Sequence, residues 1–172
     1  LSHSHPDHTG FIRDFQPGVK IHATKDTSKI MKIGSLYARG VDLPMDTFNE
    51  VRVPRSWKEP IYPFPVGDLQ ITAYPVDHSS PGAVGYLIEH AGERMFYTGD
   101  LRFHGRKKGM HKRIERDLSG KLDLLITEGT NVGREPSGIA SEKAVEHHAA
   151  KLMRESVSLV MVACSPQNLD RF

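Results

Sequence analysis

The feature that most constrains this chain lies at its start, where residues 3–8 read HSHPDH. Three imidazoles and a carboxylate lie within six residues, and both groups are ligands for divalent transition metals. In an extended turn, residues two apart lie on one side, so His3 and His5 can share one metal. Asp7 and His8 would then face a second metal. The opening segment therefore predicts two adjacent metal sites.

Two further candidate ligands follow predicted strand ends. His78 lies in the run VDHSS, and Asp100 closes the run TGD. Side chains at strand ends converge at one edge of a sheet, so we expect both residues to join the opening motif. A purification tag or solvated histidines would not account for these later segments. Because Cys164 is the only cysteine, a thiolate-rich zinc site is excluded, and any metal must be held by imidazole and carboxylate.

The rest of the chain alternates predicted strands and helices, which is typical of an α/β layered domain. The turn over 91–93 predicts a hairpin, and the proline-rich residues 40–68 are predicted as an ordered segment without regular structure. Strands are predicted over 19–24, 69–76, 83–89, 94–98, 122–127 and 157–163, the last two buried, and helices over 26–39, 106–118 and 141–155.

The composition is that of an ordinary globular protein. With 172 residues, the chain is long enough for one domain with its own core. Its net charge is only +2, so any attraction to nucleic acid must come from a local basic patch. The sequence has no long apolar run or signal-peptide pattern, and its single cysteine suits a reducing compartment. We therefore expect a cytoplasmic protein with no membrane partner.

The motifs at residues 3–8, 78 and 100 occur in the same order as the metal motifs of the metallo-β-lactamase superfamily, which this chain resembles. The resemblance implies that Asp100 bridges two divalent ions. It also implies an α/β fold, a four-layer αββα sandwich with the metals in a cleft at one edge of the sheets. Zinc is the default ion for such donors, although manganese or iron would accept them as well. The implied ligands are His3, His5 and His78 for one ion and Asp7 and His8 for the other.

The expected chemistry follows from a pair of metals. Two metals about 3.5 to 4 Å apart can hold a bridging water, lower its pKa to roughly 7, and stabilise the attacking and leaving oxygens. This predicts a metal-dependent hydrolase that uses a hydroxide held between the ions. Asp7 is a candidate catalytic residue because it could orient or deprotonate the nucleophile, although it could equally be a plain ligand.

The later part of the chain resembles the β-CASP branch of this superfamily, which includes ribonuclease J and the messenger-RNA 3′-end processing factors. Those enzymes insert a domain before their last metal-binding histidine. Here no strand-terminal histidine follows Asp100, since His147 and His148 lie within a predicted helix. The run ITEGTN at 126–131 resembles the acidic motif of the branch. Glu128 is therefore a candidate catalytic residue that orients a ligand.

The last residues resemble the segment that leads into the inserted β-CASP domain. The resemblance predicts a metallo-β-lactamase domain over 1–163 and the start of the inserted domain over 164–172. We expect the chain to be a fragment, inactive by itself, that lacks the first strands and the C-terminal part of the sandwich. Its last ligand would be lost or would lie after Phe172. The substrate contacts implied by the resemblance are Ser165, Asn168 and Arg171.

A basic run follows Asp100 and could bind a polyanion near the metals. A basic helix face is also commonly just solvated, and Glu115 and Asp117 dilute this one. No pattern of interleaved aromatic residues for base stacking accompanies it. The candidate nucleic-acid contacts in this run are Arg102, Lys107, Lys108, Lys112 and Arg113.

The function that the sequence favours is a phosphodiesterase or ribonuclease whose partner is RNA. A hydrolase of small esters, thioesters or lactones is an alternative, because one dinuclear site serves carbonyl and phosphoryl centres alike. An inactive scaffold homologue is a second alternative, although all six ligand positions present in the chain are intact. The sequence leaves open RNA against DNA, endo against exo cleavage, the identity of the metal and the oligomeric state, a homo-oligomer included.

Overall fold

The computed structural model describes residues 1–16, 18–39, 45–135, 138 and 141–171, and within them five successive strands lie between two segments in which strands and helices alternate. The helices are α1 (Pro6–Thr9), α2 (Lys25–Arg39), α3 (Lys108–Leu118) and α4 (Glu142–Glu155). The strands are β1 (Ile21–Thr24), β2 (Phe48–Val51), β3 (Phe64–Val66), β4 (Leu69–Pro75), β5 (Val84–His90), β6 (Glu93–Tyr97) and β7 (Leu124–Ile126). Short 3₁₀ helices lie at Ile12–Asp14, Met45–Thr47 and Leu169–Arg171.

The described strands form two sheets of unequal size. β1 and β2 pair in parallel, with Ile21 opposite Phe48. The larger sheet has the order β3-β4-β5-β6-β7 and is antiparallel except for the parallel pair of β6 and β7. Because β4 and β6 both run antiparallel to β5, they share one direction, and β7 follows it. The carboxyl ends of β4, β6 and β7 consequently lie at the same edge of the sheet.

Local sequence explains the most regular turns. Ala91 and Gly92 join β5 to β6 with φ angles of 50° and 90°, which is the left-handed conformation that a tight two-residue hairpin requires at both positions. Helix α4 begins after Ser141, whose hydroxyl accepts a hydrogen bond of 3.2 Å from Ala144 N. The predicted hairpin and the helix predicted over 141–155 are confirmed.

Two hydrophobic clusters pack against opposite faces of the larger sheet. Successive residues of a strand point to opposite faces, so β4 and β5 each contribute to both clusters. The first cluster joins the two sheets, the second joins the larger sheet to α3, and α2 packs on β1 and β2. The layer order is therefore αββα, as predicted. The buried members are Val51, Ile71, Ala73, Val84 and Tyr86 in the first cluster, and Tyr74, Leu87, Phe96 and Leu118 in the second.

Three predictions about regular structure are wrong. Residues 40–44 lie outside the described residues, but β2 and β3 lie within the remainder of 40–68, and Val51 is buried between the sheets. No strand forms over 157–163, where Val157 and Met161 are almost fully exposed. β7 forms as a strand, but its Leu125 is 55% exposed instead of buried. An apolar run indicates that a segment could be buried, but burial also needs a neighbouring element to cover it. β7 is the edge strand of the described sheet, so it has a neighbouring strand on one side only.

Candidate metal centre

The first residues are held against the larger sheet by its main chain. Val84 N at the start of β5 donates a hydrogen bond of 3.0 Å to Ser2 O. Gly99, after β6, lies so close that a Cβ there would come within 2.9 Å of Ser2 Cβ, and its φ of +57° also favours glycine. This close approach of two main-chain segments brings His3 next to Asp100.

A helical turn, not an extended one, follows His5. The turn is α1, and within it His8 N donates a hydrogen bond of 3.0 Å to His5 O. Pro6 suits the first position of a helix because it has no N–H group to satisfy there. The prediction of an extended turn is therefore wrong beyond His5. The helical turn brings the ring of His8 back against that of His3, with 4.1 Å between the ring centroids.

One imidazole and two carboxylates follow the ends of β4, β6 and β7, at the same edge of the larger sheet. His78 follows β4, Asp100 follows β6, and Glu128 follows β7. These strands share one direction, so the loops after them meet at one place. The convergence that we expected from strand ends is present in the structure.

Six side chains form two groups that share one carboxylate. Asp100 Oδ1 lies 3.2 Å from His8 Nε2. Asp100 Oδ2 lies 3.8 Å from both His3 Nε2 and His78 Nε2. His5 Nδ1 lies 3.1 Å from His78 Nε2. In each group, the potential ligand atoms all lie within 4.8 Å of one another. The first group is His3, His5, His78 and Asp100, and the second is Asp7, His8 and Asp100.

Burial lowers the pKa of the imidazoles in the first group. The pKa of His3 falls to about 3 and that of His78 to about 4, first because burial disfavours the charged ring and then because other imidazoles lie close by. Burial also lowers the pKa of His5, although the carboxylates of Asp7 and Asp100 oppose this shift. At pH 7 these rings are neutral, so each can offer a nitrogen lone pair to a metal without first losing a proton.

One potential ligand atom of the cluster is buried without a hydrogen bond among the described residues. His3 Nε2 is buried and has no hydrogen-bond partner among the described residues, whereas buried polar atoms are nearly always paired. Burial also raises the pKa of Asp100, against the influence of His8, so a nearby cation would stabilise its ionised carboxylate. Imidazole nitrogens and carboxylate oxygens are ligands of zinc, and manganese or iron would accept them too. The unpaired nitrogen of His3 and the raised pKa of Asp100 therefore both fit a pair of divalent ions.

Asp7 lies on the open side of the cluster. Its side chain is 75% exposed, and its carboxylate lies 3.6 Å from His8 Nε2. This exposure gives the carboxylate access to solvent water as well as to the second group. The geometry is compatible with either role predicted for Asp7, that of a ligand or that of a proton acceptor.

Glu128 contacts the main chain next to the shared carboxylate. Its Oε1 accepts a hydrogen bond of 2.7 Å from Leu101 N, directly after Asp100. Glu128 belongs to neither group of potential ligands among the described residues. Its contact is therefore suited to holding Asp100 in position, which is the kind of role predicted for it.

The structure separates the predicted basic contacts into buried and exposed residues. Arg102 and Arg113 are only 8% and 6% exposed. Both donate hydrogen bonds inside the protein, Arg102 to Asp77 and Arg113 to Trp57 O. Burial therefore removes these two arginines from the surface that a nucleic acid could reach. Lys107 is half-buried, and the exposed members of the set are Lys108 and Lys112.

The predicted substrate contacts near the end of the chain have different surroundings. Ser165 is exposed, whereas Asn168 is 4% exposed and its Oδ1 has no hydrogen-bond partner among the described residues. Arg171 donates two hydrogen bonds of 2.9 Å to the carboxylate of Glu142. Asn168 is thus enclosed by the protein, whereas Ser165 is exposed and Arg171 is exposed in part while its guanidinium binds Glu142.

The segment that contains these residues lies against the metal cluster. Gln167 Oε1 accepts a hydrogen bond of 2.9 Å from the hydroxyl of Ser4, the residue between the first two histidines. A cavity of about 220 Å³ beside His78 is lined in part by Lys107 and Asn168. The last described residues therefore form one wall next to the candidate metal centre.

Two buried carboxylates behind the cluster were missed by the sequence analysis. Asp77 is 0% exposed and Glu142 is 3% exposed, and both accept hydrogen bonds from Arg102. The position of Asp77 directly before His78 was the only signal for it. Nothing in the sequence distinguished Glu142, because an acidic residue in the first turn of a helix is ordinary.

Comparison with known sequences gives a match over most of the chain. The profile of the Beta-lactamase superfamily domain matches residues 1–160. Ribonuclease J of Mycobacterium tuberculosis is 27% identical over 180 residues, which cover 99% of this chain and 30% of that protein. Endoribonuclease YSH1 of Gibberella zeae is 37% identical over 91 residues, which cover 52% of this chain and 9% of that protein. The chain spans less than a third of the length of these relatives.

A solved structure also resembles the chain. A protein of unknown function from Enterococcus faecalis V583 is 29% identical, with a TM-score of 0.69 over 90% of this chain and 38% of that one. This likeness supports the layered architecture described above. Among the described residues, no helix combines the length and the apolar character needed to cross a lipid bilayer.

Proposed function

Because the chain belongs to the β-lactamase superfamily, as its motifs predicted, we propose that it carries the metal centre of a phosphodiesterase that hydrolyses RNA. The observation that carries the proposal is the carboxylate of Asp100. One of its oxygens faces His8, and the other faces His3 and His78 of the first group. A carboxylate shared in this way suits two cations side by side, which is the arrangement of two-metal phosphoryl transfer. The ribonuclease relatives support RNA as the substrate.

Each group of side chains would hold one divalent ion. Zinc fits the donor set by default, with manganese or iron as substitutes. Bound there, the ions would supply positive charge beside the scissile phosphate and lower the pKa of water. The ligands would be His3, His5, His78 and Asp100 for one ion, and Asp7, His8 and Asp100 for the other.

The remaining steps depend on the protein's own side chains. During hydrolysis, the oxygen of water would bond to phosphorus while the bond from phosphorus to the leaving ribose oxygen breaks, and the leaving oxygen would take up a proton from solvent. The carboxylate of Asp7 would accept the proton that the water loses, which its exposure to solvent supports. Glu128 would keep Asp100 in position through its hydrogen bond to Leu101 N.

The substrate would approach over the start of α3. Lys108 and Lys112 are exposed there and can neutralise phosphates of the RNA backbone. Lys107 lines the cavity beside His78, and its positive charge would add to the attraction of phosphates near the metals. We do not include Arg102 and Arg113 among the contacts, because both are buried.

Metal content and cleavage of labelled RNA test this proposal, both on this chain and on any longer polypeptide that contains it. We expect about two ions per chain. Asp100→Asn and His78→Ala should lower both the metal content and the cleavage rate. The control is His90→Ala, because His90 is exposed at the end of β5 and lies outside both groups.

Three outcomes would contradict the proposal in different ways. Unchanged metal content in Asp100→Asn would refute the ligand assignment. Turnover of nitrophenyl esters or lactones without cleavage of RNA would favour a small-ester hydrolase on the same fold. No turnover of either class by a metal-loaded longer polypeptide that contains this chain would favour an inactive scaffold.

A further inference from the structure

A buried ion pair joins the two loops that carry His78 and Asp100. Asp77, directly before His78, is fully buried, and its Oδ1 accepts a hydrogen bond of 2.8 Å from Arg102 Nε. The main-chain oxygen of Asp77 accepts a second bond of 2.7 Å from Arg102 N. Arg102 lies two residues after Asp100 and is also buried. The loop after β4 is therefore tied to the loop after β6 by one side-chain and one main-chain contact.

The carboxylate of Asp77 is enclosed by the residues that follow Arg102. Its Oδ2 accepts a hydrogen bond from Lys107 N. Gly105 packs so closely that a Cβ there would lie 2.3 Å from both carboxylate oxygens. The turn can surround the carboxylate in this way only because residue 105 has no side chain.

Glu142 continues the series of charges from Arg102 to the end of the described chain. Glu142 Oε1 accepts hydrogen bonds from Arg102 Nη1 at 3.2 Å and from Arg171 Nη2 at 2.9 Å, and its Oε2 accepts one from Arg171 Nε at 2.9 Å. Its main-chain nitrogen donates to His104 O at 3.1 Å. Opposite charges therefore alternate along Asp77, Arg102, Glu142 and Arg171, which we call the charge network.

Stability alone is a weak explanation for such a network. A buried ion pair can commonly be replaced by apolar residues without loss of stability, because removing charges from water offsets their attraction. Its directional hydrogen bonds do, however, fix the relative position of the groups that it joins. Here those groups are the two loops that supply ligands to the same metal group.

We propose that Arg102 is a positioning residue that holds His78 and Asp100 at the separation required for metal binding, with Asp77 and Glu142 as its anchors. The inference rests on the proposed function, because it takes His78 and Asp100 as ligands. Arg102 touches neither the metal nor the substrate in this scheme. It acts through the main chain on either side of the two ligands.

Arg102→Lys tests the proposal most directly. Lysine keeps the positive charge but lacks the planar fork that reaches Asp77 and Glu142 together. Replacing the outer partners of metal ligands typically weakens metal binding by about 10- to 100-fold. We therefore expect the affinity for Zn²⁺ to fall at least about tenfold, at a temperature where the variant is fully folded.

Two other variants complete the design. Glu142→Gln preserves the pair of Asp77 and Arg102 and should weaken Zn²⁺ binding in the same direction but less, so it decides the question if Arg102→Lys does not fold. The matched control is Glu146→Gln. Glu146 forms an exposed ion pair of 2.9 Å with Arg106, between the same two segments as Arg102 and Glu142 but away from Asp77. This control should bind Zn²⁺ like the wild type.

The measurements are a Zn²⁺ titration against a competing chelator and amide hydrogen exchange of the metal-free protein. We expect Arg102→Lys to accelerate exchange at residues 77–79 and 99–103 while exchange in the centre of β5 stays unchanged. Wild-type affinity and wild-type exchange in the folded variants would overturn the inference, as would exchange accelerated uniformly throughout the sheet. If the wild type binds no metal, the proposed function fails, and hydrogen exchange alone then decides whether Arg102 positions the two loops.

Discussion

Replacing Gly105 by alanine tests how tightly the buried carboxylate of Asp77 is enclosed. A Cβ at residue 105 would lie 2.3 Å from both carboxylate oxygens and 2.4 Å from Asp77 Cγ. Nonbonded heavy atoms prefer separations of about 3.5 Å or more. The carboxylate would have to move by roughly 1 Å to reach that separation, and its hydrogen bonds from Arg102 Nε and Lys107 N would break.

The expected loss of stability follows from the buried charge of Asp77, which those hydrogen bonds compensate. Leaving one partner of a buried ion pair uncompensated typically costs about 3–5 kcal/mol. Hydrogen bonds to charged groups contribute about 1.5–3 kcal/mol each. The cost of the uncompensated charge already includes their loss, so the two values are not added. We therefore expect Gly105→Ala to lower the free energy of unfolding by about 3–5 kcal/mol.

Urea denaturation followed by far-UV circular dichroism measures this change. Gly34→Ala is the matched control, because Gly34 is exposed within α2 and a Cβ there would meet nothing within 4 Å. Alanine is the better helix former, so this control should raise the free energy of unfolding by about 0.5–1 kcal/mol. A Gly105→Ala variant within about 0.5 kcal/mol of the wild type would refute the reasoning, since surface substitutions alone reach that size.

Three other sets of substitutions test separate parts of the site. Hydrogen bonds from Arg171 hold the pKa of Glu142 below its usual value, which is about 4.3 in unfolded chains. The contribution of Glu142 to the free energy of unfolding is then complete above that value and is lost as the pH falls through the lower folded pKa. Denaturation curves should show the gap between wild type and Glu142→Gln narrowing on acidification, and a widening gap would contradict the assigned sign. Glu128→Ala should weaken metal binding by about tenfold or more, whereas Glu128→Gln keeps an acceptor for Leu101 N and should retain more affinity in the same titration. Equal affinities of the wild type and Glu128→Ala would exclude the positioning role. Lys108→Ala and Lys112→Ala should each weaken RNA binding and reduce the slope of its logarithmic salt dependence by about 0.7 to 0.9. Filter binding at several salt concentrations measures that slope, and an unchanged slope would rule out phosphate contacts by these lysines.

Local signals in the sequence were sufficient for most of the regular elements. The hairpin at Ala91 and Gly92 depends on the φ angles of two adjacent residues, and the start of α4 depends on the hydroxyl of Ser141. Such signals need no information about distant residues. The short motifs that resemble the superfamily were equally informative, and the match over residues 1–160 confirms the family that they predicted.

The errors concern segments whose state depends on distant neighbours. Val51 is buried between the two sheets because β2 pairs with β1 and faces the larger sheet. The prolines around that segment indicated only where strands could not continue. Leu125 and Val157 belong to apolar runs that were expected to be buried, yet both are exposed. Hydrophobicity is a property of the residue, whereas burial is a property of the packing around it.

The sequence by itself determined the type of donors in the candidate centre, the order in which they occur and the family to which the chain belongs. Their role as metal ligands stays a prediction. Only the tertiary structure decided that Arg102, predicted as a surface contact for nucleic acid, is a buried partner of Asp77 and Glu142. The charge of a residue is written in the sequence, but its partners lie 25 and 40 positions away. Folding alone brings such distant residues together, and it thereby decides whether a charge faces water or another charge.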